Sequence, residues 1–186
     1  SYSFGVAQQN DGKIISLGHL SGVNSFVVTR YNLDGTLDLS FAENGIQLVS
    51  NGTGSNVLNI SSLMLQQDGK ILLIGEYRGI NSLVHAHIIR LNIDGTMDTT
   101  FGAQGMLSIQ EVREVNGATL QSNGKIVITG ANNDFNIILA RFNTDGSPDN
   151  SLGTNGILVQ PDDASVAESV TIQSDGRIII AGYLSK

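Results

Sequence analysis

Short apolar runs separated by polar turn clusters fill this chain, and they recur. The run that follows each DGK-type turn is almost continuously apolar: Lys13–Leu17, Lys70–Ile74, Lys125–Thr129 and Arg177–Ala181. A stretch of that length, rich in β-branched residues and apolar on successive positions, predicts a strand buried on both faces. We call it strand B. Strand A precedes it at Gly5–Gln9, Leu63–Gln66, Ala118–Gln121 and Val170–Gln173. Strand C follows at Phe26–Arg30, His87–Arg90 and Ile137–Arg141, and strand D at Ile46–Val49, Met106–Ile109 and Ile157–Val159. No segment shows sustained apolar rows at i, i+3, i+4 and i+7, so no helix is predicted.

The turn residues support this division. NDG, QDG, SNG and SDG join A to B, and Asn-Gly and Asp-Gly are strong hairpin signals because Gly reaches φ > 0 at no steric cost. Gly18, Gly75, Gly130 and Gly182 are expected to end strand B. An N-x-D-G turn follows strand C at Asn32–Gly35, Asn92–Gly95 and Asn143–Gly146. The A–B turn glycines Gly12, Gly69, Gly124 and Gly176 are 57, 55 and 52 residues apart, a period suited to propeller blades.

Two phrases therefore alternate: QQDGKILLIG and its copies, and RLNIDGTMDTTFGAQG at Arg90–Gly105 with copies at Arg30–Gly45 and Arg141–Gly156. At these residues the sequence resembles the delta-60 repeat family of bacterial β-propeller repeats, over essentially the whole chain. Leu152 in place of the aromatic, Asn123 in place of the turn Asp, and Pro148 are departures. The resemblance implies a propeller in an exported or cell-surface bacterial protein and implies no reaction.

The expected fold is all-β, a β-propeller of four-stranded antiparallel blades. Residues 1–186 are read as one propeller segment, with repeats at about 1–52, 53–113, 114–163 and a partial 164–186. The order A-B-C-D runs three times and then A-B once. About three and a half blades of a longer propeller are expected, since closure takes four to eight blades and leaves no unpaired edge.

Composition narrows the partners. A net charge of −7 and a pI near 4.7 provide no basic stripe for nucleic acid and no polybasic membrane patch. No apolar run reaches the ~20 residues of a membrane-spanning helix. There is no cysteine, hence no disulfide framework, thiolate metal site or Cys nucleophile. No charged n-region with an apolar h-region opens the sequence, so any targeting segment would lie upstream or have been removed.

Candidate chemistry falls both at repeated positions and at single ones. Asn92, Asp94 and Asp98 (with Asn32, Asp34, Asp38 and Asn143, Asp145, Asp149) evoke a calcium loop, but the first Asp and closing Glu of that loop are missing. Turn capping is the expected role. Arg30, Arg90 and Arg141 are expected to pair bidentately with Asp38, Asp98 and Asp149, stapling each C–D hairpin rather than ringing a channel with anion sites. Gln9, Gln66, Gln121 and Gln173 are expected to satisfy blade-to-blade backbone groups rather than to line the channel. His85 and His87 share a strand face, expected to be partly exposed, and have no third metal ligand. Glu43, Glu76, Glu111, Glu114 and Glu168 fall at unrelated repeat positions, unlike a glycosidase pair. There is no G-x-S-x-G elbow. No catalytic, cofactor or metal residue is assigned.

The expected function is a non-catalytic scaffold or interaction module that binds protein or glycan through its variable segments. Those segments are His19–Ser25, Ser50–Asn59, Glu76–Val84 and Ala131–Asn136. The alternatives are an enzyme acting on polysaccharide or a lactone in the central channel, and a self-assembling element of a fibre or surface layer.

Overall fold

The continuously apolar B runs need cover on both faces, and the architecture provides it by stacking sheets. The computed structural model describes residues 2–20, 25–50, 57–78, 83–160 and 165–184. Strands β1 (Tyr2–Gln8), β2 (Ile14–Leu20), β3 (Ser25–Tyr31) and β4 (Ile46–Ser50) form the first sheet. The second holds β5 (Val57–Leu65), β6 (Ile71–Arg78), β7 (Val84–Leu91) and β8 (Met106–Ile109). The third holds β9 (Glu114–Leu120), β10 (Ile126–Ala131), β11 (Ile137–Phe142) and β12 (Ile157–Gln160). A two-stranded sheet of β13 (Ser165–Ile172) and β14 (Ile178–Leu184) follows. Within every sheet neighbours are consecutive and antiparallel, the meander of a propeller blade. The first strands of successive sheets lie side by side: β1 against β5, β5 against β9, and β9 against β13.

Alternate side chains of the B and C strands serve different neighbours. In the second blade Ile71, Leu73, Ile89 and Leu91 pack with Ile15, Leu17, Phe26, Val28 and Phe41 of the first. Leu72, Ile74, Ala86 and Ile88 point the other way and pack with Ile126, Ile128, Ile138, Ala140 and Phe142 of the third. Val127 and Leu139 continue the series onto Val170. Each buried residue of this kind is worth about 1.5–3 kcal/mol of apolar transfer, so the inter-blade faces hold most of the hydrophobic stabilisation.

Strand A and the end of strand B differ from expectation. The first strands start earlier, at Tyr2, Val57, Glu114 and Ser165, and strand B runs on past Gly18, Gly75, Gly130 and Gly182. Those glycines sit inside the strand, each opposite a bulge. Register skips one residue of strand A at the same place in every unit: Phe4, Ser61, Asn116 and Glu168. A bulge breaks the period-two alternation, which is why the residues ahead of it do not read as strand. It also pushes the A backbone onto the glycine. A Cβ on Gly75 would lie 1.9 Å from the Asn59 carbonyl oxygen, and one on Gly130 only 1.7 Å from that of Glu114.

Of the variable segments, Ala131–Asn136 is fully described. Residues 21–24, 51–56 and 79–82 of the other three lie outside the described residues. His19–Leu20, Val57–Asn59 and Glu76–Arg78 belong to strands.

The bulge assigns different costs to two glycines. Gly130→Ala forces a Cβ into fixed backbone and should cost about 3 kcal/mol or more, in the range of severe overpacking. Gly35→Ala meets open space and only strained φ, a cost of about 1 kcal/mol. Urea unfolding of the two variants measures the difference; equal losses would show that the bulge does not dictate the glycine.

Candidate functional site

The repeated charges build a clasp between blades. In the first blade the Arg30 Nε donates to Asp38 Oδ2 at 2.7 Å, and the Lys13 ammonium reaches the same oxygen at 2.7 Å. The other carboxylate oxygen accepts from the Ser40 amide and hydroxyl. Arg30 Nη1 crosses to the next blade and donates to the Ile93 carbonyl at 2.7 Å, inside the Asn92–Gly95 turn. The Phe41 ring lies 4.7 Å beneath the guanidinium and against Gly95, where a Cβ would meet it at 2.5 Å. The Ala42 amide completes the grip on the Asp94 carbonyl at 2.6 Å.

The second blade repeats this on the third. Arg90 Nε and Lys70 hold Asp98 Oδ2 at 2.7 and 2.8 Å, Arg90 Nη1 donates to Thr144 O at 2.5 Å, and Phe101 fills the space over Gly146. In the third blade Arg141 and Lys125 hold Asp149, both at 2.6 Å, and Arg141 Nη2 donates to Ser151 Oγ. The Arg–Asp pairing is as expected, but it is not bidentate. One guanidinium nitrogen takes the Asp and another is free to reach the neighbouring blade.

These contacts commit the acidic side chains. Lys13 and Ser40 hold the Asp38 carboxyl well below the usual range, and Lys125 and Ser151 do the same for Asp149. For Asp98 burial acts upward, and hydrogen bonds from Lys70 and Thr100 with the charge of Arg90 overcome it. Asp34, Asp94 and Asp145 cap their turns, each accepting from the hydroxyl and amide of Thr36, Thr96 or Ser147, which lowers their pKa. Asn32, Asn92 and Asn143 donate to the same hydroxyls. The set weighed for calcium is therefore split between turn capping and cation clasps.

The glutamines bridge blades in the two places where their donors are satisfied. Gln66 Nε2 donates to Thr144 O and Gln121 Nε2 to Gly176 O, both at 3.3 Å. The buried Gln9 amide has no hydrogen-bond partner among the described residues. A family model described as Domain of unknown function (DUF5122) beta-propeller matches residues 9–41, 66–101 and 121–152, more than half of the chain. The chain belongs to this family. No curated protein matches it.

Each matched segment of the DUF5122 propeller runs from the strand A glutamine to Phe41, Phe101 or Leu152, and the two phenylalanines plug the next blade's turn. The match thus spans the clasp and says nothing that singles out one blade. What does single them out is a groove at a fixed place beside strands C and D. In the first blade it is lined by Leu20, Val27, Ile46 and Leu48 with Glu43, Asn44 and Gln47. In the second the corresponding positions hold Tyr77 and His87. His87 stacks on Tyr77 at 4.9 Å and lies 4.9 Å from His85. His87 is 7% exposed, so the expected partly exposed face is instead closed there. Burial and the neighbouring His85 push its pKa down to about 4.

In the third blade the groove is open and polar, about 530 Å³, lined by Glu111, Asn132, Asn133, Asp134, Thr154 and Asn155 over Ile138 and Leu158. Sequence reasoning placed a variable segment at Ala131–Asn136 but missed Glu111 and Thr154 as its companions and gave no role to the exposed Phe135 within it. The folded register alone brings them together. The other carboxylates weighed for hydrolysis stay apart in role: Glu76 accepts from the Val115 amide, Glu114 pairs with Arg113, and Glu168 is the bulge residue of β13.

Two measurements check these assignments. Arg90→Ala strips a buried carboxylate of one partner and unclasps the third blade, and should cost about 3 kcal/mol. Lys70→Ala removes the more exposed cation and leaves Arg90 on Asp98, so it should cost about 1 kcal/mol or less in the same urea titration. His87 has a folded pKa below its ordinary 6.5, so the unfolded chain binds the extra proton first. Stability is then full above pH 6.5 and falls as pH drops toward 4, whereas His87→Phe should flatten that window. The depressed aspartates add a second loss below the usual carboxylate pKa of 3.8. Identical urea midpoints at pH 7.5 and 5.0 for the native chain would contradict the histidine assignment.

Proposed function

We propose that the chain is a non-catalytic propeller module that binds a protein or glycan ligand through the segments that differ between blades. One observation carries the reading: the charged and turn-capping side chains common to the blades are consumed by the fold, while most polar side chains of the third-blade groove are not. Arg, Asp, Lys and Asn of the repeated phrases form clasps and turn caps. Glu111, Asn133, Asp134, Thr154 and Asn155 make no side-chain hydrogen bond among the described residues, yet line one groove. A binding surface on loops held by a rigid sheet scaffold is the usual way such folds acquire specificity.

The delta-60 resemblance supports placing this module in an exported or cell-surface bacterial protein. Exposed apolar side chains on the outer sheets favour a role within a larger propeller or assembly. Ile46 and Leu48 of the first sheet are 38% and 55% exposed, and Ile179 and Tyr183 of the last are 42% and 56% exposed. Sheet faces of this kind are normally covered.

The test is a binding screen against a glycan array and a surface-protein extract, run with the native chain and with a variant whose residues 132–135 are replaced by Asp-Gly. The reading expects a ligand that the variant loses at unchanged Tm. Release of reducing ends from a polysaccharide, or opening of a lactone, above the rate of an Arg90→Ala control would replace it with an enzyme.

A further inference from the structure

The third-blade groove has the chemistry of a sugar site. Its floor is apolar, from Ile138, Ile157 and Leu158, and its rim carries two carboxylates, two amides and a hydroxyl from Glu111, Asp134, Asn133, Asn155 and Thr154. Pyranose rings present this same pairing in reverse, an apolar C–H face bordered by hydroxyls that donate and accept. The volume of about 530 Å³ falls in the range that holds one or two sugar units.

An exposed aromatic follows Asp134 in the loop that lines the groove. Phe135 is 60% exposed in a protein whose other described phenylalanines from Phe26 to Phe142 are buried. Its φ of 61° is a left-handed conformation that a bulky side chain adopts only when its surroundings hold it there. The holding contacts are visible. The Phe135 amide donates to Asn132 O, the Asn132 side chain accepts from the Asp134 and Asn136 amides, and the Arg113 guanidinium covers one ring face at 4.6 Å. Arg113 and Glu111 come from the same link between β8 and β9, so one segment fixes the ring and supplies the rim.

Charge selects among sugars. Arg113 is the cation beside the ring and is engaged by both Phe135 and Glu114, whereas Glu111 and Asp134 remain unpaired on the rim. Uronic and sialic acids would be repelled, and neutral hexose or N-acetylhexosamine units are not. The first two blades differ at the same place: Leu20 and Val27 stand in one where the third blade has Asn132 and Ile138, with Glu43, Asn44 and Gln47 on its rim, and in the other Tyr77 and His87 occupy those positions.

We infer that the groove between the 132–135 loop and the 153–155 bend of the third blade is a binding site for neutral oligosaccharide, with Asn133, Asp134 and Glu111 taking hydroxyls and Phe135 stacking on a ring face. This rests on the loop-binding reading above and names its ligand class.

The experiment titrates the ¹⁵N-labelled chain with chitobiose, cellobiose, maltose, mannobiose and lactose, followed by amide shifts, with glucuronic acid as the charged comparison. A neutral disaccharide should move the amides of Asn133, Asp134, Phe135 and Thr154, and glucuronic acid should not. Phe135→Ala and Asn133→Ala should each weaken that binding about tenfold at unchanged Tm, while Leu20→Ala in the first blade leaves it alone. Shifts elsewhere, or a disaccharide bound equally by Phe135→Ala, would overturn the site. A protein ligand lost with the 132–135 replacement, alongside no response to any disaccharide, would overturn the sugar assignment and leave the loop-binding reading standing.

Discussion

A guanidinium that serves two blades at once is the interaction on which the rest of the structure depends. Its Nε is tied to the Asp eight residues on in its own hairpin, and its Nη1 reaches a backbone carbonyl in the turn of the next. A lysine would have to bring both acceptors within reach of one nitrogen, whereas the planar guanidinium fork addresses two directions from separate nitrogens. The Phe below the guanidinium adds a ring contact and closes the turn against water. The blade is therefore coupled to its neighbour by charge, ring and backbone at the C–D end, and by apolar B and C faces along its length. Such nearest-neighbour coupling makes the stability of a repeat array close to a sum over adjacent interfaces.

How much of this could be read from residues depends on whether the cause is local. Continuous apolar B runs require burial on both sides of a strand, and Ile71 and Leu72 duly face different blades. Asp-Gly and Asn-Gly turns require φ > 0, and Gly12, Gly69, Gly124 and Gly176 adopt it. The Arg–Asp spacing of eight places both across one hairpin, so the intra-blade half of the clasp was visible. Its other half was not, because Ile93 and Thr144 lie 63 and 54 residues away and contribute only carbonyls, which no side-chain pattern encodes. The strand B glycines misled for a related reason. A glycine after an apolar run resembles a stop, and only the bulge in the partner strand shows that Gly75 and Gly130 are pressed by backbone.

The candidate site was less legible still. A repeat announces what its copies share, and the third-blade groove exists in one copy. Asn132, Asn133 and Asp134 look like any polar loop, Glu111 like any surface carboxylate, and Phe135 like a core residue misplaced by one position. They acquire a joint meaning when the meander sets the β10–β11 loop beside the start of β12 and the link that precedes β9.

The two ends of each blade thus answer to different demands. The A–B and C–D turns share one end, and there the Lys, Arg, Asp and Phe are bound into clasps that tolerate no change without loosening a neighbour. The B–C loops leave the opposite end, where among the described residues the Arg–Asp–Lys clasp has no counterpart and loop substitution costs the scaffold little. Leu20, Tyr77 and Asn132 occupy one position in three blades, and they put there an aliphatic chain, a ring stacked on His87, or an amide that holds the B–C loop. The clasps hold that position still, and the loops decide what it presents. A fold that spends its charge on one end is free to vary chemistry at the other, so a ligand is better sought in the differences between blades than in the residues that define the family.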